Sequence, residues 1–542
     1  MTVGIVSGPG ETANEFVFMT PDNTEIKTGE FIYYRSRVTV ENGDGVSEEY
    51  KDIYARVTGR EQERGYPNQF MANPDVAPDA VASKLGIASE GVDLYRVTAS
   101  IIGYFDERMG DFANPRVVPD PGTKVQIADA GELESVLTDV DPEREGSARI
   151  GELLHREPGE VDVHLPIDSF AATHLSILAS TGSGKSYTAS VLIEEMMKPD
   201  SRAAVLVLDP HGEYGTLQQM QGIDEFAEGT SNGNGYSPDV EIKRPDELQL
   251  RISELSFADL ISVLSDPSDA QEAALSEAWN RLDGTHISPQ RIINEVKGCA
   301  DNDSVANALD WRLRTALGRD IFDENRNVPL TEILSPGQCS VLQMDSMSLV
   351  DQQMIATVLL RRINQERMLH EKGDGDSDLD FPVFVLLEEG HRFAPADGEA
   401  RSRGILSTIL SEGRKFGIGV GIISQRPSKI DDDILSQCKS QIIMEIQNPN
   451  DQDAVKRGVE DVGEDLLSEL PGLTPGQAII AGDTVNTPFM ADIRGRTTSH
   501  GAESLDATEE WSKAWQQRQS KPEGRRDADD DEGVQNRDIP LD

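Results

Sequence analysis

The chain has 542 residues, more than one hydrophobic core accommodates, so two or three domains are expected. Its net charge is −47, with 97 acidic residues against 50 basic ones, and the surplus is spread along the chain. Cys299, Cys339 and Cys438 lie too far apart for a disulfide framework or a zinc site, and no run of about 18 apolar residues occurs. A soluble, cytoplasmic protein without a membrane partner is therefore expected. A fold so self-repelling suits a halophilic cytoplasm, because the Debye length at molar salt is only about 3 Å. The acidity for the same reason does not exclude a nucleic-acid partner.

In chain order, residues 1–105 read as short strands. Apolar or alternating runs at 4–6, 16–19, 31–34, 37–40, 53–57 and 95–99 are punctuated by Gly, Asp, Asn and Pro, the pattern of a small antiparallel barrel. Lys27-Thr28-Gly29-Glu30 reads as a tight turn into a strand. Residues 106–150 are rich in Asp, Glu, Pro and Gly and read as a connector, so a first domain of barrel and acidic connector covers 1–140. Residues 141–495 then read as an α/β nucleotide-binding domain. Residues 217–335 form a mainly helical insertion within it, with periodic segments at 255–264, 270–282, 287–296 and 305–317. A long helix is expected over 354–369. The tail, 496–542, is acidic and expected to be largely disordered. Residues 509–519 within it read as a short helix anchored by Trp511 and Trp515.

The most specific feature is Ala179-Ser180-Thr181-Gly182-Ser183-Gly184-Lys185-Ser186, set between the apolar run 174–179 and a helical pattern that starts at Lys185. This is a phosphate-binding P-loop in the strand–loop–helix context that the motif requires. Glycine at 182 and 184 lets backbone N–H groups of 180–187 wrap a polyphosphate, and the helix N-terminus adds partial positive charge. Lys185 supplies charge to the β- and γ-phosphates of ATP, and Ser186 offers a hydroxyl to Mg²⁺. With Tyr187, which follows, the binding segment comprises Ser180, Thr181, Gly182, Ser183, Gly184, Lys185, Ser186 and Tyr187.

A second apolar run, 381–387, delivers Glu388-Glu389 to what would be the same edge of a parallel sheet. One carboxylate, Glu388, can hold the Mg²⁺ hydration shell, and Glu389 can orient and deprotonate the attacking water. The bland alternative is that the pair opens a solvated helix. A third run, 418–423, ends in Ser424-Gln425-Arg426-Pro427, where Gln425 suits a γ-phosphate sensor. Arg414, at the end of a probable helix, either pairs with helix carbonyls or reaches the nucleotide of a neighbouring subunit.

Together these motifs resemble the HerA-type ATPases of the HerA–FtsK superfamily. The carriers are the P-loop, Asp209-Pro210-His211-Gly212-Glu213-Tyr214, Glu388-Glu389-Gly390-His391-Arg392-Phe393-Ala394-Pro395, Glu412-Gly413-Arg414-Lys415-Phe416-Gly417 and Ser424-Gln425-Arg426-Pro427. The resemblance implies a RecA-like, mostly parallel α/β core behind the N-terminal barrel. It implies a homo-hexameric ring that moves double-stranded DNA with ATP and Mg²⁺, working with a NurA-type nuclease in end processing for recombinational repair. It makes Glu389 the catalytic carboxylate, Gln425 the sensor and Arg414 a finger acting in trans. This chain departs from the family at Ala179, where Gly is more frequent, and at Gly390, where Ala is frequent. Asp209, His211 and Glu213 match a family motif without an assigned role; a structural turn and a contribution at the site edge both remain open.

DNA-contacting residues are the least defined. Between Gly390 and Lys429 lie seven basic residues against three acidic ones, and Arg401 and Arg403 are the pore candidates. A GTP switch is the rival of another class: Asp209-Pro210-His211-Gly212 fits DxxG and Asn280-Arg281-Leu282-Asp283 loosely imitates a guanine reader. Asn280 lies inside a helical pattern, however, and the paired glutamates would go unexplained. A conjugation- or secretion-type ATPase, or a defence-system ATPase, of the same superfamily is the nearer alternative.

Overall fold

The computed structural model describes residues 2–21, 26–42, 45–63, 94–106, 111–228, 235–244, 247, 249–264, 267–282, 287–319, 321–324, 328–373, 375, 377–398, 400–459, 462–500 and 507–520. They fall into two units, 1–499 and 500–542. The first begins with seven antiparallel strands: β1 (Thr2–Pro9), β2 (Glu15–Thr20), β3 (Phe31–Asn42), β4 (Gly45–Glu63), β5 (Leu94–Asp106), β6 (Asp111–Ala113) and β7 (Lys124–Ile127). Six of them close into a barrel in the order β2-β1-β7-β3-β4-β5, with β5 pairing back onto β2, while β6 only extends β5. Closure pairs the two outer strands of the six with each other. Phe16, Phe18, Ile32, Tyr34, Ile53 and Val97 fill the interior. The turn before β3 forms as read, with Glu30 N–H donating to Lys27 O at 3.1 Å and Gly29 at φ 87°.

Two readings of this region change. The runs at 31–34 and 37–40 are one strand, because Arg35-Ser36 between them carries no turn residue. The closing strand β7 lies inside the stretch read as a connector; only four residues long, it was masked by the acidic, Pro- and Gly-rich composition around it. A short helix, α1 (Ala130–Leu137), follows.

The second sheet is built from β8 (Ser147–Leu153), β9 (Asp162–Pro166), β10 (Leu175–Leu178), β11 (Val205–Asp209), β12 (Asp239–Lys243), β15 (Gln338–Gln343), β16 (Val383–Leu387), β17 (Ile418–Ser424), β18 (Ser440–Ile443), β19 (Gln477–Gly482) and β20 (Phe489–Ile493). A separate parallel pair, β13 (Leu250–Arg251) with β14 (Phe322–Asp323), accounts for the remaining labels. The strand order is β12-β15-β11-β16-β17-β10-β18-β19-β20-β8-β9. From β12 to β18 the neighbours are parallel, and from β18 to β9 they are antiparallel. The central strands β10, β11, β16 and β17 are buried throughout, as continuous apolar runs covered on both faces require. Gly419 in β17 is needed because a Cβ there would collide with the Ala171 carbonyl of α2 (Ile167–Thr173).

Helix α3 (Lys185–Met196) follows β10 directly. The periodic segments of the insertion fold as α4 (Phe257–Val263), α5 (Asp269–Arg281), α6 (Pro289–Cys299), α7 (Asp303–Leu317) and α8 (Leu330–Ile333). The stretch 217–335 is not helical throughout: β12 sits inside it and supplies the edge strand of the main sheet. Helix α9 (Leu349–Lys372) runs longer than read, from an N-cap at Ser348 to Gly373 at φ 66°. The unit is completed by α10 (Arg403–Glu412), α11 (Asp432–Ser436), α12 (Pro449–Gly458) and α13 (Glu464–Glu469).

The barrel is fixed to the sheet domain by two buried ion pairs. Arg56 on β4 meets Asp465 on α13 at 2.8 Å, and Arg156 meets Glu30 at 2.7 Å. Buried pairs are screened little by salt, but removing one partner strands a charge and costs about 3–5 kcal/mol. In the second unit, α14 (Ala507–Ser520) forms near the predicted place, with Trp511 and Trp515 72% and 64% exposed. The acidic run 527–532 lies outside the described residues. Among the described residues, no helix is long and apolar enough to cross a membrane.

Candidate functional site

Parallel register brings the motifs to one line. Leu178 pairs with Ser424, Leu387 with Ile422, and Leu208 with Leu387. The residues that follow these strands, Ala179, Gln425, Glu388 and Asp209, therefore emerge at the same sheet edge. There the P-loop turns into α3 through Gly182 at φ 86° and Gly184 at φ 103°, conformations that disfavour a side chain. The loop is held open by its own polar atoms: Ser180 N–H donates to Glu445 O at 2.8 Å, and Ser183 Oγ donates to Ser180 O at 3.0 Å.

Lys185 is buried and its ammonium is bonded to Glu388 Oε1, with Glu389 Oε1 at 3.6 Å and Glu213 Oε2 at 3.9 Å. Glu388 is fully buried, and its second oxygen accepts from Tyr214 Oη at 2.6 Å. Burial, helped by Glu213 and opposed by Lys185 and Tyr214, raises the Glu388 carboxyl to about 7. Burial also pulls on the Lys185 ammonium, but Glu388, Glu213 and Glu389 together hold its pKa above the ordinary value.

Glu389 is placed differently. Its Oε1 accepts from Gln425 Nε2 at 2.7 Å, and Gln425 Oε1 in turn accepts from Thr181 Oγ1 at 2.6 Å. His391 Nδ1 lies 3.2 Å from Glu389 Oε2, and His211 Nε2 lies 4.0 Å from Oε1. Burial pushes Glu389 up, but His391, Lys185 and His211 outweigh it and keep the carboxyl below its usual value. One carboxylate is thus poised near neutrality and the other is held ionised. Glu389 has φ 54°, a strained conformation for a residue with a Cβ, of the kind that concentrates at functional sites. The solvated-helix alternative for this pair does not occur.

Asp209 organises a turn. Its carboxylate accepts the N–H groups of His211, Gly212 and Tyr214 at 3.1, 2.8 and 3.1 Å. The turn then projects Glu213 toward Ser186, whose hydroxyl donates to Glu213 Oε2. The structural and site-edge readings of this motif both hold, on different residues. Sequence reasoning missed His391 and Tyr214 as members of the cluster; the signal was their presence within the quoted motifs.

Tyr187 points away from the loop, its hydroxyl accepting from Arg496 N–H at 2.7 Å. Arg414 lies in a short turn after α10, exposed and without an ion pair among the described residues. It precedes β17 whereas Gln425 follows it, so the two are separated by a strand of about 20 Å at 3.3 Å per residue. Arg403 is paired with Asp431 and Lys429 lies 3.8 Å from Asp397, while Arg426 is exposed beside Gln425. Asn280 is part of helix α5, where it cannot serve as a guanine-reading loop. Gly390 is explained by packing: an added Cβ would collide with the Ile422 γ-methyl.

The oxygen donors Ser186 Oγ, Glu213 and Glu388 suit a hard cation such as Mg²⁺. Among the described residues no ready-made metal cage is formed, as fits an ion that arrives with phosphate oxygens.

The family described as "Helicase HerA, central domain" matches residues 148–363. A probable helicase of Methanocaldococcus jannaschii is 30% identical over 423 residues, covering 74% of this chain and 76% of the relative. The DNA double-strand break repair helicase HerA of Pyrococcus furiosus is 29% identical over 428 residues, covering 67% of this chain and 74% of the relative. Among solved structures, VirB4 of Thermoanaerobacter pseudethanolicus is similar at a TM-score of 0.46 and 15% identity, over 66% of this chain and 99% of that one. The P-loop, the paired strand-end glutamates and this level of identity across most of both chains lead to one conclusion: the chain belongs to the HerA helicase family.

Proposed function

We propose that this HerA-family ATP-hydrolysing enzyme is a double-stranded DNA translocase and helicase. In this reading it forms a homo-hexameric ring in the cytoplasm and works with a NurA-type nuclease to process DNA ends for recombinational repair. The observation that carries the reading is the shared sheet edge, where Lys185, Glu388, Glu389 and Gln425 converge on the P-loop. Relatives named as DNA double-strand break repair helicases support the repair context.

Each residue has a part that follows from its surroundings. The N–H groups of 180–187 surround the ATP phosphates. Lys185 exchanges Glu388 for phosphate oxygens, so the ammonium keeps an anionic partner throughout. Ser186 would hold Mg²⁺ through its hydroxyl, and Glu388, released from Lys185, would face the ion's hydration shell. The ion would neutralise charge developing on the transferred phosphate. Glu389, kept ionised, takes the proton of the attacking water, and Gln425 ties that carboxylate to the P-loop through Thr181 so that phosphate occupancy is felt at the base. Arg414, a strand length from its own P-loop, acts on a neighbour's nucleotide.

The test is ATP turnover in molar KCl with linear duplex DNA and with closed circular duplex. Linear DNA, which has ends to thread, is expected to stimulate the wild type more than the circle, and Lys185→Ala is expected to be inactive with either. Failure of both DNAs to change turnover, with the nuclease present, would defeat the DNA reading.

A further inference from the structure

Glu213 is an oxygen donor of the cluster to which the proposed turnover assigns no step. It is the carboxylate on which the Ser186 hydroxyl rests, and Lys185 Nζ is 3.9 Å from the same oxygen. Its side chain is 31% exposed, against 0% for Glu388 and 2% for Glu389, so it is the acid of this group most open to an entering ligand. Its position is fixed from both sides along the chain. Gly212, at φ 76°, is tied to Asp209, and Tyr214 is fully buried with its N–H on Asp209 and its hydroxyl on Glu388. The backbone that carries Glu213 is thus held between two anchors, and its carboxylate meets the Ser186 hydroxyl.

Phosphates entering beside Lys185 bring negative charge close to this carboxylate. Two anions at a few ångströms repel unless a cation lies between them, and the repulsion is larger in a half-buried site than in water. The donors facing that gap, Ser186 Oγ and Glu213 Oε2, are oxygens of the kind magnesium takes directly or through its water shell. We propose that Glu213 is a metal-side carboxylate acting with Ser186, and that it makes nucleotide binding depend on a divalent cation. It is a positioning residue: it penalises free nucleotide and favours the metal-loaded form. The inference rests on the ATP reading of the same site.

The experiment measures the affinity of the full chain for a fluorescent ATP analogue, once with magnesium and once with EDTA. The wild type is expected to bind more tightly with magnesium. In Glu213→Gln that ratio is expected to fall about ten-fold or more, as for loss of an outer-shell metal partner, while binding in EDTA stays the same or tightens. Glu213→Asp, which keeps the charge on a shorter arm, is expected to recover part of the ratio. A Glu213→Gln protein that keeps the wild-type ratio overturns the inference. So does one that loses affinity equally with and without magnesium, because that marks a structural role. A wild type that binds no nucleotide in either condition fails earlier, and takes the ATP reading down with it.

Discussion

The two edges of the main sheet are built in opposite ways. After the strands, Lys185, Glu388, Glu389, Gln425, Thr181, Ser186 and Glu213 are bonded to one another within the chain. Before them, Arg414 stands exposed at the foot of β17 with no ion pair among the described residues. The first edge holds a phosphate cradle and a base. The second holds a cation without an ion pair among the described residues. On our account each edge completes the other only when two subunits meet.

The largest effect is expected at the exposed edge. Arg414→Ala should lower ATP turnover by about 10³–10⁵-fold, the range for an arginine finger, while leaving nucleotide affinity near wild type. Equal loss in binding and turnover, read by titration and steady-state assay, would mean that Arg414 serves its own chain's fold.

Next comes the base. Glu389→Gln should bind ATP and lose about 10²–10⁴-fold in hydrolysis, the contribution of a positioned general base. Hydrolysis at the parent rate would transfer the role elsewhere in the cluster.

The third test probes how the two edges are held apart. His174, at the start of β10, accepts the Val420 N–H of β17 at 3.1 Å on Nδ1, and burial pulls its imidazole down to about 4. Between an ordinary pKa near 6.5 and this value the unfolded chain binds a proton that the folded one rejects. Stability contributed by His174 is therefore present at neutral pH and lost as pH falls, by about 2 kcal/mol between about pH 7 and about pH 5. His174→Asn keeps a hydrogen-bond acceptor while removing the titratable ring. Its denaturant midpoint should be less sensitive to this acid step than that of the wild type. Identical sensitivity would remove His174 from the account.

The smallest effect is expected from Gly390→Ala, which forces a methyl against Ile422 and should cost about 1–3 kcal/mol by overpacking. If the cost has this origin, removing the γ-methyl with Ile422→Ala should change it in thermal unfolding; indifference to the second substitution would point to backbone strain at the adjacent Glu389.

Much of this site was legible in the sequence because strand ends speak locally. An apolar run that stops at Lys185's loop, at Glu388-Glu389 or at Gln425 announces both its burial and the side chains delivered at its edge. What was not legible depends on contacts far apart in the chain. Strand β7 is too short to carry a period-2 signal, and its membership of the barrel is decided by pairing with β1 and β3. Strand β12 hides in a mostly helical stretch for the same reason. Asp209 and Glu213 carry equal charge four residues apart, yet one caps a turn and the other meets Ser186; only the path of the backbone between them separates the roles. The tryptophans of α14 were read as an anchor, and among the described residues both are exposed.

The central claim, that hydrolysis is assembled from opposite edges of two subunits, is tested most directly by mixing. Arg414→Ala and Lys185→Ala proteins, each inactive alone, should regain ATP turnover when combined under conditions of proven subunit exchange, because some interfaces then pair an intact Lys185 cradle with an intact Arg414. No recovery in such mixed assemblies, or full activity from wild-type monomers in sedimentation at the assay salt, would contradict it.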